Sequence, residues 1–359
     1  MSTLEQRLQQ VVRDDVRSMQ SYVVQPSTGM IKLDAMENPF TLPPELQRAL
    51  GERLGAVALN RYPGDCTARL REALARHARL PEGFELMLGN GSDELISMLA
   101  VACSVPGAAI VAPMPGFIMY PMSAQLHGLK YVGVPLVPGS LELDEAAMLA
   151  AIAEHRPVLV YIAYPNNPSG NLFDDAIIER IVQAAPGLVV IDEAYQPFAS
   201  KSYIDRLARH EHVVLMRTMS KFGLAGARIG YMMGRQALMA HIEKVRPPYN
   251  VSVLNCEAAL FALEHEAEFA RQAAVLRAER ERLIDALRGM PGVHPYPSEA
   301  NMVLVRVPDP DRSLATLRER RVLVKKLAKV ASVGDCLRLT VGTPEENDVM
   351  IAALRESLQ

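Results

Sequence analysis

A chain of 359 residues exceeds what one hydrophobic core usually supports, so two domains sharing a cleft are expected. With 49% hydrophobic and 22% charged residues, no long polar tract and no apolar run of bilayer length, the composition is that of a soluble globular protein, not of a disordered or membrane-spanning one. The net charge of −3, with no basic stripe and no interleaved aromatics, gives no electrostatic case for nucleic acid or an anionic membrane as a partner.

Residues 1–12 are polar and charged, which is not the pattern of a secretory signal, so the cytoplasm is the expected location. Residues 1–30 read as a helix followed by an extended arm that carries Tyr22 and ends in the turn-forming Pro26-Ser27-Thr28-Gly29. From about residue 65 helix and strand alternate: a helix at 67–77, a strand at 84–88, a helix at 92–102, and strands at 108–112 and 131–136. The turn Gly89-Asn90-Gly91-Ser92-Asp93-Glu94 joins the first of these strands to its helix. Its glycines permit close backbone approach, and the new helix offers free N–H groups to a phosphate, although such a turn can equally be a plain connection. It is neither a dinucleotide fingerprint nor a Walker loop, which weighs against a nicotinamide dehydrogenase.

Short, continuous apolar runs at 158–163, 188–191 and 213–216, with helical segments near 144–154 and 174–184, predict buried parallel strands joined by crossover helices. Each run ends in a loop with chemical content. Tyr164-Pro165-Asn166-Asn167-Pro168-Ser169-Gly170 is a rigid loop that presents the amide of Asn167. Asp192-Glu193-Ala194-Tyr195 puts a carboxylate at the end of a buried strand, where it must be paired, bind a ligand or face a cleft, a plain helix N-cap being the alternative. Thr218-Met219-Ser220-Lys221-Phe222-Gly223, followed by Gly226 and Arg228, sets a lysine beside apolar residues, where desolvation would free its amine for imine chemistry.

A long helical stretch at about 256–290 leads to strands at 301–307, 322–325 and 336–341 and helices at 313–320 and 344–357. The last helix has Thr343 as N-cap, Pro344 in its first turn and Glu346 closing a capping box. We expect an N-terminal arm at 1–35 that belongs with a small α+β unit at 285–359, around a large unit at 36–284. The four cysteines are far apart and read as reduced, mostly buried fillers, and His210 and His212 read as surface positions. No metal-ligand spacing occurs, so no metal is expected.

In this order and spacing, N-N-P-S-G (166–170), D-E-A-Y (192–195) and S-K-F-G-L-A-G-A-R (220–228) resemble the fold-type I aminotransferases, which depend on pyridoxal 5'-phosphate (PLP). L-D-A-M-E-N-P-F (33–40), R-Y-P-G (61–64), G-N-G-S-D-E (89–94) and C-L-R-L-T-V-G-T-P-E-E-N (336–347) narrow the resemblance to the histidinol-phosphate branch. The likeness runs from about Asp15 to the end and implies an α/β fold, with a mostly parallel sheet covered by helices and a smaller α+β domain.

The resemblance also implies roles. Lys221 would hold the cofactor covalently and Asp192 would pair its pyridine nitrogen. Asn167 and Tyr195 would bind its ring oxygen, and Phe117 would stack on the ring. Ser92, Asp93, Ser220 and Arg228 would grip the phosphate, with Tyr62 reaching across a homodimer to the other subunit's cofactor. Arg338, Lys325, Tyr22 and Asn167 would bind substrate, namely histidinol phosphate and, in the other half-reaction, glutamate or 2-oxoglutarate.

Two departures from the family pattern stand out. Arg228 follows Lys221 by seven residues where some members have one more, which implies a tightened loop. Lys325 stands where an arginine is expected, keeping the charge but losing the planar fork. Other readings remain open: an aromatic amino acid aminotransferase, a threonine-phosphate decarboxylase, or a non-catalytic PLP-fold binding protein.

Overall fold

The structure, a computed structural model, describes residues 3–21, 23–330 and 333–359. Its centre is a seven-stranded sheet in the order Phe84–Gly89, Gly230–Arg235, Val213–Thr218, Leu188–Asp192, Leu159–Ala163, Ala109–Met114, Lys130–Pro135. All of its neighbouring pairs are parallel except the two made by Gly230–Arg235, which runs against both partners. The six co-directional strands therefore release their following loops along one edge, where open α/β sheets collect ligands.

The strands are short because both faces are covered and each apolar run only needs to cross the core. Val213 and Leu215 pack with Leu70, Leu74 and Ile181 in one layer, whereas Val214 and Met216 pack with Leu95, Leu99 and Tyr120 in the other. Each such fully buried Val, Leu or Ile contributes roughly 1.5–3 kcal/mol. Asp144 and Asp174 cap the crossover helices Glu145–His155 and Asp175–Ala184 by accepting backbone N–H groups.

The C-terminal region forms a second, antiparallel sheet in the order Lys325–Val330, Gly334–Thr340, Met302–Arg306, His294–Pro295. Helices Pro310–Glu319 and Pro344–Ser357 pack on each other beside it, the latter with the expected Thr343/Glu346 capping box. The N-terminal strand Ile31–Lys32 joins this region by pairing in parallel with Val322–Leu323. That pairing delivers the following residues, 33–37, to the space between the two sheets.

Several elements differ from the sequence expectation. The stretch at 256–290 is two helices, Val253–Glu264 and Glu266–Arg288, broken at His265, whose φ of −113° and ψ of 31° leave the helical region. The break carries no signal in the sequence, because neither glycine nor proline stands beside His265. The first of the two helices also starts earlier than expected, at Val253, with Ser252 as its N-cap. The strand expected at 322–325 is divided between the two small sheets, with Lys325 opening the strand Lys325–Val330. His210 and His212 are half-buried, with Nε2 atoms 2.7 Å from Glu179 Oε1 and 2.9 Å from the Val182 carbonyl. All four cysteines are free: Cys66, Cys256 and Cys336 are buried, and Cys103 is half-buried. No helix among the described residues is long and apolar enough to cross a membrane.

Candidate active site

The strand-end loops and residues 32–37 enclose a cleft of about 1060 Å³, closed on its far side by Lys325 and Arg338 of the C-terminal sheet. Asp192, the last residue of its strand, faces this cleft and is only 3% exposed. Its Oδ2 accepts from the Tyr120 hydroxyl at 2.7 Å and its Oδ1 from the Ala194 N–H at 3.1 Å. The second bond closes a local turn; the plain alternative of a helix N-cap does not form, because the short helix Gln196–Phe198 that follows has Tyr195 before it and no side-chain cap. Burial pushes the acid up to about 6, opposed by those two hydrogen bonds and aided by the nearby charges of Asp93 and Glu193. Among the described residues no cation pairs with it.

Lys221 lies in the tight turn Ser220–Leu224 that follows the strand Val213–Thr218. Its Nζ donates to the Ala35 carbonyl at 2.9 Å. Burial lowers the ammonium to about 8, with help from the positive charge of Arg338 and against Glu37 and Asp93. An amine must shed its proton to attack a carbonyl, so an aldehyde should be captured faster as pH rises through about 8, not through the usual 10.5. Stopped-flow absorbance of the cofactor-free protein mixed with an aromatic aldehyde measures this. An apparent midpoint near 10.5 would mean that the lysine is solvated.

At one end of the cleft the chain is stripped of side chains. Gly91 has φ +87°, and a Cβ there would lie 2.5 Å from Arg228 Nη2, while one on Gly230 would lie 2.6 Å from the backbone of Gly91 and Ser92. The helix Ser92–Cys103 starts there, and its first N–H groups have no acceptor within the helix. Arg228 holds a left-handed backbone (φ 52°) and sets Nη2 3.6 Å from Asp93 Oδ2. Ser220 Oγ is 3.0 Å from Thr218 Oγ1, which also accepts the Ser220 N–H.

Toward the other end, Asn167 bridges two other predicted residues, Tyr195 and Arg338. Its Nδ2 donates to the Tyr195 hydroxyl at 3.0 Å, and its Oδ1 accepts from Arg338 Nη1 at 2.9 Å. Arg338 Nη2 donates to the Asp34 carbonyl at 2.8 Å, so the guanidinium is oriented by one residue from each side of the cleft. Lys325 is the register partner of Arg338 on the adjacent strand. Phe117 lines the cleft and meets Tyr120 edge-on at 5.7 Å.

The structure thus brings together Ser92, Asp93, Phe117, Asn167, Asp192, Tyr195, Ser220, Lys221, Arg228, Lys325 and Arg338. Tyr62 does not line this cleft; it is 76% exposed and stacks on Tyr249 at 4.3 Å. Tyr22 lies outside the described residues. Sequence reasoning missed Tyr120, the Asp34 and Ala35 carbonyls, and Thr218. Tyr120 had a faint signal, lying three residues beyond Phe117, whereas a backbone carbonyl carries none.

The sequence pattern of the family described as aminotransferase class I and II matches residues 28–354. A histidinol-phosphate aminotransferase of Methylibium petroleiphilum is 68% identical, covering 98% of this chain and 96% of its own length. One from Polaromonas naphthalenivorans is 62% identical over 99% of both chains. The crystal structure of histidinol-phosphate aminotransferase from Sinorhizobium meliloti, in complex with pyridoxal-5'-phosphate, superposes with a TM-score of 0.85 at 25% identity and covers 97% of each chain. The fold, the matched segment and these relatives agree: the chain belongs to the class I and II aminotransferase family.

Proposed function

We propose that the chain carries pyridoxal 5'-phosphate on Lys221 and exchanges an amino group between L-histidinol phosphate and 2-oxoglutarate. The products are imidazole acetol phosphate and L-glutamate, a step of L-histidine biosynthesis. The observation that carries this reading is one cleft holding both a lysine of lowered proton affinity and a buried carboxylate with which no cation among the described residues pairs. The substrate assignment is supported by the activity that the two relatives of 68% and 62% identity bear in their names.

The residues fit that cofactor. Asp192 is a buried anion in want of a cation, which a protonated pyridine nitrogen supplies. The side-chain-free turn at Gly91, beside Arg228, suits a phosphate. When bound, the cofactor's ring is the electron sink for the pair left at the substrate's Cα.

With the cofactor bound, Lys221 Nζ would take up the substrate's Cα proton and later release it. Asp192 would hold the ring nitrogen protonated, Asn167 and Tyr195 would bind the ring oxygen, and Phe117 would stack on the ring. The N–H groups of Ser92 and Asp93 grip the phosphate together with Ser220 and Arg228, whose guanidinium can form a bidentate contact. Tyr62, exposed on one copy, reaches the phosphate held by a second copy, which makes the active unit a homodimer. The same reading divides the chain into the arm 1–35, a cofactor unit 36–284 and a C-terminal unit 285–359, and places the enzyme in the cytoplasm.

Arg338 accepts the α-carboxylate of glutamate in one half-reaction and the phosphomonoester of histidinol phosphate in the other. Lys325 adds charge on the neighbouring strand, and Tyr22 adds a further phosphate contact. Arg338→Gln should therefore lower kcat/KM for both donors by about 30-fold or more, the equivalent of roughly 2 kcal/mol or above for a lost charged hydrogen-bonded partner. Steady-state kinetics with each donor checks it, and a loss confined to one donor would break the shared-site assignment.

The experiment that tests the activity is the visible spectrum of the holoenzyme mixed with histidinol phosphate, phenylalanine or threonine phosphate. Fast conversion of the bound cofactor by histidinol phosphate supports the reading. A negligible response to it, with brisk turnover of another donor, moves the enzyme to an aromatic aminotransferase or a phosphothreonine decarboxylase. Silence with every donor leaves a binding protein.

A further inference from the structure

The central strands end in two carboxylates set back to back. Asp192 shares the face of Tyr120 and faces the cleft, whereas the next residue, Glu193, is 1% exposed on the opposite face. Glu193 Oε2 lies 2.9 Å from Arg217 Nε and accepts from Ser202 Oγ at 3.1 Å, while its Oε1 accepts the Tyr203 N–H. Arg217, 5% exposed, also donates from Nη2 to Ser202 Oγ at 2.9 Å and has Tyr231 as its register partner. It belongs to the strand Val213–Thr218, which lies beside the strand of Asp192 and runs directly into the turn of Lys221.

A buried ion pair is weak evidence for stability, because apolar residues of like volume often serve the fold as well. This pair has a more specific consequence. The Glu193 charge sits one residue from Asp192 and opposes its ionisation, and the Arg217 guanidinium, 2.9 Å from Glu193, sets an opposite charge directly against it.

We propose that Arg217 is a positioning residue for the cofactor: it neutralises Glu193 so that Asp192 stays ionised at the ring nitrogen, and it ties the ends of the strands that carry Asp192 and Lys221. The inference rests on the cofactor assignment of the proposed function and not on which amino donor is used, so failure of the histidinol-phosphate assay leaves it standing.

The test uses holoenzyme reconstituted with cofactor labelled with ¹⁵N at the pyridine nitrogen, whose chemical shift reports where the shared proton sits. In Arg217→Met the signal should move toward that of a neutral pyridine, and cofactor affinity should fall about tenfold. Arg217→Lys should stay close to wild type. Removing both charges, in Glu193→Gln/Arg217→Met, should restore the shift and most of the affinity, a reversal that a merely structural contact would not give. A wild-type shift in Arg217→Met overturns the proposal. So does a double variant that fails to fold, or whose shift is no nearer wild type than that of the single variant.

Discussion

Lys221→Met is expected to abolish turnover, lowering kcat by about 10⁴-fold or more, because the proposed function makes one amine both covalent anchor and proton carrier. The loss should be chemical and not structural. Lys221 is half-buried at the cleft, its amine bonded to a single backbone carbonyl, and Met keeps the unbranched stem. Circular dichroism and thermal melting should therefore match wild type. Borohydride treatment of the holoenzyme, followed by peptide mapping, should find the cofactor fixed at residue 221 in wild type and on no peptide in the variant. Retained turnover, or a label on another lysine, would remove the basis of the assignment.

Asp192→Asn tests the other half of the chemistry. The carboxamide keeps the shape and can still accept a hydrogen bond, but it cannot neutralise a protonated ring, so kcat should fall by about 10²–10³. The same change should stabilise the cofactor-free protein. The folded state holds Asp192 near pKa 6 against an ordinary 3.8, so between these values it binds more protons than the unfolded chain. Stability therefore falls as pH rises through that window, and the ionised side chain costs up to about 3 kcal/mol above it. At pH 7 the cofactor-free variant should melt higher than wild type while working worse. A variant that is both active and no more stable would show that the burial of this carboxylate carries no functional cost.

How much of this was legible follows from where each signal is stored. The strands at 159–163, 188–192 and 213–218 announce themselves as unbroken Val, Leu and Ile runs, and a carboxylate at the end of such a run is conspicuous because burial penalises it. Lys221 is informative only beside Ser220 and Arg228, since a lone loop lysine is ordinarily solvated. The strand Gly230–Arg235 escaped notice because Gly-Tyr-Met-Met-Gly-Arg has weak strand propensity, and only its pairing on both sides, between Phe84–Gly89 and Val213–Thr218, makes it one. Tyr120 and Asp192 are 72 residues apart, and Arg338 reaches Asp34 across 304, so these contacts exist only after the topology is in place. Lys325–Val330 looks like loop because it opens on two lysines, Lys325 and Lys326, that line the cleft instead of a core.

The reversed strand also sets an order of events on the ribosome. Phe84–Gly89 stands at the sheet edge with Gly230–Arg235 as its neighbour, a segment synthesised well over a hundred residues later. Until that segment emerges, the nascent chain must shelter a bare apolar edge, the kind of surface that invites wrong pairing. The turn at Gly91 cannot be finished before Gly230 packs against it, so that corner of the cleft waits on the reversed strand.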